Sequence, residues 1–245
     1  MTPRCQLKLL LTLVILVICV YQANAATFTF YDGFEDGVWN DTWSFGIPNE
    51  SCQGTVIVLE ARPHSGTKSL YIAENLVNNA VGVYRSFTFN ITNVGVWFWW
   101  RDLSDDNSGL RIQILDQNSR FMGGVGFLDQ YVTSYGVWFQ GKELALIGNW
   151  EPETWNHIEI NLNLNSGTAS VYLNGNLLAS DLELADTGGY PCYLSIWTDD
   201  SEVYVDDIVV EGFRTPPQVP IPEFPTIGLV LVAVCLLLYV GRQLT

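Results

Sequence analysis

The chain has little positive charge: its 245 residues include 11 Lys and Arg against 26 Asp and Glu. Between Thr27 and Thr215 there are 8 basic and 25 acidic residues, a net of −17. A nucleic-acid surface needs Lys and Arg to neutralise phosphates, so no nucleic-acid partner is expected. The acidity suits a solvated extracellular surface, or one that collects cations. Histidine is nearly missing. His64 and His157 are the two present, and neither has the Ser, Cys or second-His context that marks a hydrolytic triad or a zinc site. Cysteine is scarce in the body of the chain. Cys5 and Cys19 fall in the N-terminal apolar segment and Cys235 in the C-terminal one, which leaves Cys52 and Cys192. In an oxidising compartment these two are expected to pair; in a reducing one they stay as buried thiols. From Ala26 to about Glu211 there is no helix-period apolar pattern, no internal repeat and no low-complexity run.

What fills that region is short alternating or β-branched runs separated by Gly, Asn, Asp and Ser. The clearest is Trp155–Leu178. Ile158, Ile160, Leu162 and Leu164 alternate with His157, Glu159, Asn161 and Asn163, the pattern of a half-buried strand. Asn165-Ser166-Gly167 supplies a turn, and Ala169, Val171 and Leu173 resume the alternation. Asn174-Gly175 then accepts positive φ at little cost, which predicts a tight hairpin into a third strand. Similar runs start at Thr27, Thr55, Lys68, Gly82, Gly95, Leu110, Gly124, Val137, Leu144, Tyr193 and Val203. A dozen or more strands at this turn density predict an all-β, two-sheet antiparallel sandwich of jelly-roll type. Within it, Val96-Trp97-Phe98-Trp99-Trp100 places Trp97 and Trp99 on one face and Phe98 and Trp100 on the other. One face must be core; the other is either covered as well or an aromatic platform on which sugar rings stack. Asp102, Asp105, Asp106 and Asn107 follow in a loop, and Trp197 precedes Asp199, Asp200 and Glu202. Each loop reads as a solvated turn or as a sugar-hydroxyl or cation site.

The ends differ in composition. Residues 1–25 have a basic n-region (Arg4, Lys8), an apolar stretch from Leu9 to Val20 and the small-x-small triplet Ala23-Asn24-Ala25, the pattern of a secretory signal peptide cut before Ala26. The sandwich occupies 26–213, and a stiff Pro-rich linker occupies 214–223. An apolar run follows within 224–241, 17 residues from Phe224 to Val240, at the short end for a membrane span. Arg242 behind it agrees with a cytoplasmic tail. Asn40, Asn49 and Asn90 each open a glycosylation sequon.

Three resemblances sharpen these expectations. Trp155, Ile158, Gly167, Val171, Tyr172, Leu173, Asn174 and Gly175 resemble the late hairpin of the concanavalin A-like lectin/glucanase superfamily, in particular its laminin-G-like branch. That group includes lectins, adhesion modules and hydrolases, so the resemblance implies fold more than function. Asp32-Gly33-Phe34-Glu35 after the first strand and Val205-Asp206-Asp207-Ile208 in the last are similar to the opening and closing motifs of jelly-roll carbohydrate-binding modules. By that resemblance Glu35 and Asp207, supported by Asp32 and Asp206, hold a structural Ca²⁺, a hard cation that wants several oxygen ligands; the alternative is a pair of solvated acidic turns. Pro222-Glu223-Phe224-Pro225 ahead of the apolar run resembles the sorting signal of archaeal surface proteins, which implies processing by an archaeosortase and lipid attachment. Without such an enzyme the segment is a single-pass anchor.

The superfamily's hydrolases carry a Glu-x-Asp-x-(x)-Glu array on one strand, and this chain has none. Asp181 and Glu183 share a strand face, but Asp186 is off-pattern. The expectation is an exported module on the outer face of the cell membrane that binds a glycan or another envelope component without catalysis. A structural or protein-interaction domain is the first alternative, and a polysaccharide hydrolase or lyase the second.

Overall fold

The computed structural model describes residues 27–46, 54–74, 80–102, 109–130, 134–199 and 201–214. Its strands are β1 (Thr27–Asp32), β2 (Ser44–Phe45), β3 (Thr55–Leu59), β4 (Ser69–Ala73), β5 (Ala80–Ser86), β6 (Asn90–Asp102), β7 (Gly109–Asp116) and β8 (Phe121–Gln130). They continue as β9 (Ser134–Gln140), β10 (Leu144–Asn149), β11 (Asn156–Asn163), β12 (Thr168–Leu173), β13 (Asn176–Glu183), β14 (Pro191–Asp199) and β15 (Ser201–Phe213). Among the described residues there is no helix. The leader, linker, apolar run and sorting motif expected from the sequence lie outside the described residues, as do Cys52 and Asn49. No helix among the described residues is long and apolar enough to cross a membrane.

The strands form two antiparallel sheets, one of eight strands in the order β13-β12-β11-β6-β15-β4-β3 with β1 beside β15, and one of seven in the order β10-β9-β8-β7-β14-β5-β2. The hairpin expected at Asn174-Gly175 joins β12 to β13; both residues have positive φ (51° and 78°), as a type I′ turn requires. The run starting at Gly82, which reads as one strand through to Asn90, is divided. β5 stops at Ser86 and Asn90 begins β6 in the other sheet. Phe87 and Phe89 make the crossing, both buried and packed on Phe30 and Phe28. Tertiary burial of these rings ends a strand that local propensity would extend.

The two inner faces supply one continuous core. Val94, Val96, Phe98 and Trp100 of β6 meet Val125, Phe127, Val137 and Phe139 of β8 and β9. Trp100 is fully buried against Trp150, and its indole N–H donates to Ser201 Oγ at 2.7 Å, which removes the cost of burying that polar group. Every second residue of these strands therefore points away from the core, onto the two outer faces.

Candidate functional site

The outer face of the eight-stranded sheet and its corner hold Trp97, Trp99 and the acidic motifs singled out from sequence. β15 is long enough to pair with β4 through Glu202–Val205 and with β1 through Ile208–Phe213. Between these pairings a bulge against β6 leaves Asp207 at φ 45°. The segment between β3 and β4 folds into this gap. Asp206, fully buried, accepts the backbone N–H of His64 (2.9 Å), Ser65 (3.2 Å) and Asp207 (2.8 Å). Asp207 accepts Tyr31 Oη–H (2.5 Å) and Ser65 Oγ–H (2.8 Å), and lies 2.7 Å from His64 Nδ1. Glu35 accepts the N–H groups of Thr67 and Lys68, each at 2.9 Å. Asp32 accepts Phe34 N–H and Trp43 Nε1–H.

Burial pushes the Asp206 carboxyl up against the pull of its N–H donors. Burial also raises Asp207, but hydrogen bonds from Tyr31, His64 and Ser65 outweigh it and leave the carboxyl below the ordinary range. The motif pairs expected to hold calcium thus come to the same corner of the sheet. Their oxygens are turned to protein donors, and no group of three or more His, Cys, Asp or Glu among the described residues forms a metal cage. As placed, the set forms a hydrogen-bonded clamp on the β3–β4 segment.

The expected aromatic platform is on this same face but is covered. Trp97 stacks on His64 (centroids 3.7 Å apart, 15°) and on His157 (4.8 Å, 26°). Trp99 is 4% exposed, with the Arg62 guanidinium 3.9 Å above its ring and Tyr204 at its edge. Both rings already contact protein where a sugar would stack. Asp102 ends β6 opposite Ser201; its side chain, and Asp105 entirely, lie outside the described residues. Of the sequons, Asn40 is exposed, whereas Asn90 is 7% exposed at the start of β6. Cys192 is buried in β14, and burial, with the Asp116 charge adding to it, pushes its thiol up to about 11.

His157 gives this face a pH dependence. Burial lowers its imidazole pKa, opposed by the charge of Glu159 and reinforced by His64. The fold accommodates the neutral ring, so below about pH 6.5 the unfolded chain takes up the proton first. The contribution to stability is whole above that pH and is lost progressively beneath it. The urea midpoint is expected to fall between about pH 7 and pH 5.5, more steeply in the wild type than in His157→Gln. Parallel slopes would assign the dependence elsewhere.

Among the described residues an open groove lies on the other sheet. Across the outer face of the seven-stranded sheet, register aligns Leu146, Trp138, Gly126, Arg111, Trp197 and Gly82 in one row. The adjacent row runs Leu144, Gln140, Gly124, Gln113, Ser195 and Tyr84. Gly124 and Gly126 of β8 have no side chains to fill the space between β9 and β7, and a groove of about 200 Å³ opens there. Trp138 and Gln140 form one wall; Arg111 and Gln113 form the other. A Cβ on Gly124 would come within 2.5 Å of the Ile112 carbonyl and 2.9 Å of Gln113 Cα, so glycine also permits the close approach of β8 to β7. Gly82 does the same for β14, since a Cβ there would meet Trp197 Cβ at 2.3 Å.

Trp197, 6% exposed, sits behind the wall. Its Nε1–H donates to Gln113 Oε1 (3.0 Å) and its ring carries the Arg111 guanidinium at 4.3 Å. Arg111 also pairs with Asp199 at 3.4 Å. Trp197, singled out from sequence for ligand contact, is therefore placed to orient the two residues that line the groove. Arg111, Gln113, Trp138 and Gln140 were not singled out. Their signal is the outward half of the alternation in Leu110–Leu115 and Val137–Gln140, opposite a strand with glycines at 124 and 126 on the same face.

No family model matches the chain, and no curated protein matches its sequence. In structure it is similar to a sialidase, with a TM-score of 0.59 and 14% identity over 78% of this chain; the chain spans 19% of the sialidase's length. It is also similar to a carbohydrate esterase of the Shiga toxin-encoding bacteriophage phi24B (TM-score 0.58, 12% identity, 78% of this chain and 100% of that one). A third likeness is to basic winged bean lectin solved with Tn-antigen (TM-score 0.53, 9% identity, 78% and 100%). At these identities the likeness is one of fold, a jelly-roll sandwich consistent with the concanavalin A-like expectation.

Proposed function

We propose that this protein is a non-catalytic glycan-binding module, exported and held at the outer face of the cell membrane. The observation that carries the reading is the glycine-floored groove of the seven-stranded sheet, walled by Trp138, Gln140, Arg111 and Gln113. A sugar ring offers an apolar C–H face and a rim of hydroxyls. An indole takes the first and planar amide and guanidinium groups take the second. At about 200 Å³ the groove is smaller than the roughly 300–1,000 Å³ of drug-sized pockets, which suits a single ring with any longer chain lying along the open rim. The lectin, esterase and sialidase of like fold support a carbohydrate ligand. Asp199 is the one carboxylate placed on the described groove face, and it is paired with Arg111. Glycoside hydrolysis draws on two facing carboxylates, about 5–5.5 Å apart for retention, so this arrangement favours binding over cleavage. Export and anchoring rest on the leader-like and Pro-Glu-Phe-like ends of the sequence.

The test is a glycan array probed with the full chain in detergent, beside Trp138→Ala. Glycan binding that falls at least tenfold in a folded Trp138→Ala variant is expected. Undiminished binding would move the site off this sheet, and no binding to any glycan would favour a structural or protein-binding envelope domain.

A further inference from the structure

We propose that the groove selects an acidic sugar, one bearing a carboxylate or sulfate, through Arg111 and Gln113; this rests on the glycan-binding reading above. The argument is one of donor inventory. An indole N–H only donates, so the Gln113 atom that Trp197 Nε1 meets at 3.0 Å is the carbonyl oxygen. That assignment turns the carbonyl oxygen of Gln113 toward Trp197 and leaves its NH₂ group for the groove. Arg111 beside it has no acceptor at all. Its guanidinium lies over the Trp197 ring at 4.3 Å and is one-third exposed (33%). Its contact with Asp199 is 3.4 Å, longer than the 2.7–2.9 Å typical of a charge-assisted bond, so its remaining N–H groups are available. This wall therefore presents donors and one positive charge, and the group that complements it is an anionic acceptor with at least two oxygens.

The distribution of charge limits how acidic that sugar can be. Basic residues number 8 between Thr27 and Thr215, in a region of net charge −17, and one of them lines the groove. The surrounding negative field opposes a densely charged polymer. The fitting ligand is a glycan with isolated acidic residues.

The experiment titrates the full chain in detergent with matched pairs: galacturonic acid and its methyl ester, sialyllactose and lactose, and a singly sulfated oligosaccharide with its desulfated form. The variants are Gln113→Glu and Arg111→Gln. Gln113→Glu is nearly isosteric and retains an acceptor for Trp197, but it replaces the donating amide with a carboxylate. The wild type is expected to bind the acidic member of at least one pair tenfold or more tightly than its neutral partner, the span of a lost charge-assisted hydrogen bond. Both variants are expected to erase that preference, with affinity for the acidic member falling further than affinity for its neutral partner. Equal binding of acid and neutral partner, or a preference that survives Gln113→Glu, would overturn the inference and leave the glycan reading standing. Failure of every pair would overturn both.

Discussion

Asp206→Ala is expected to lower the free energy of unfolding by about 3 kcal/mol and the melting temperature by roughly 6–12 °C. The residue looks replaceable in sequence, one of two adjacent acids near the end of an acidic chain. In the fold it is fully buried and accepts three backbone N–H groups, from His64, Ser65 and Asp207. Orphaning a buried donor costs about 1–3 kcal/mol each. Part of that is offset because a desolvated carboxylate is removed as well, as its raised pKa indicates, and because water can reach the part-buried donors. Asp207→Ala is expected to cost less, since one of its partners, Tyr31, is 58% exposed. Differential scanning calorimetry with and without a chelator separates two accounts of this corner. If the acids act as a clamp, both variants melt earlier and chelator changes nothing. A chelator-sensitive melt in the wild type that disappears in Asp207→Ala would instead establish the calcium site implied by the carbohydrate-binding-module resemblance.

Trp100→Ala is expected to cost about 3–5 kcal/mol, the usual range for removing a large buried aromatic. Its ring is fully buried between the sheets, 5.1 Å from Trp150 between centroids. Its indole N–H satisfies Ser201 Oγ, which also shares a hydrogen bond with Thr198. The substitution leaves a cavity that two sheets locked by their ladders cannot close, and strips a buried hydroxyl of a donor. The check is the guanidinium midpoint at unchanged m-value. A loss under about 1 kcal/mol would mean that the core relaxes around the gap and that Trp150 does not depend on this partner.

The fold was legible because strands such as β11 and β12 keep a clean alternation. The hairpin at Asn174-Gly175 was readable to the residue, since local chemistry alone fixes a two-residue turn with positive φ. The division at Phe87–Phe89 was not, because what ends β5 is the packing of those rings on Phe28 and Phe30 from a strand some sixty residues earlier in the chain. The same limit applied to the site. Alternation showed that Trp97 and Trp99 share a face. It could not show that Arg62 and His64, from the segment between β3 and β4, would cover them.

By itself, then, the sequence determined the fold class, the alternation of each strand and the acidity that argues against a nucleic-acid ligand, since these depend on composition and on spacing within a few residues. It also drew the acidic motifs at Asp32–Glu35 and Asp206–Asp207 to attention. Only the tertiary structure decided how those acids are hydrogen-bonded, which aromatic rings are covered, and that Arg111 and Gln113 of one strand face Trp138 and Gln140 of another across two glycines of a third. The physical reason is that a groove on a sheet is made by neighbours across the ladder, and strand order and register are set by long-range burial that no local pattern encodes.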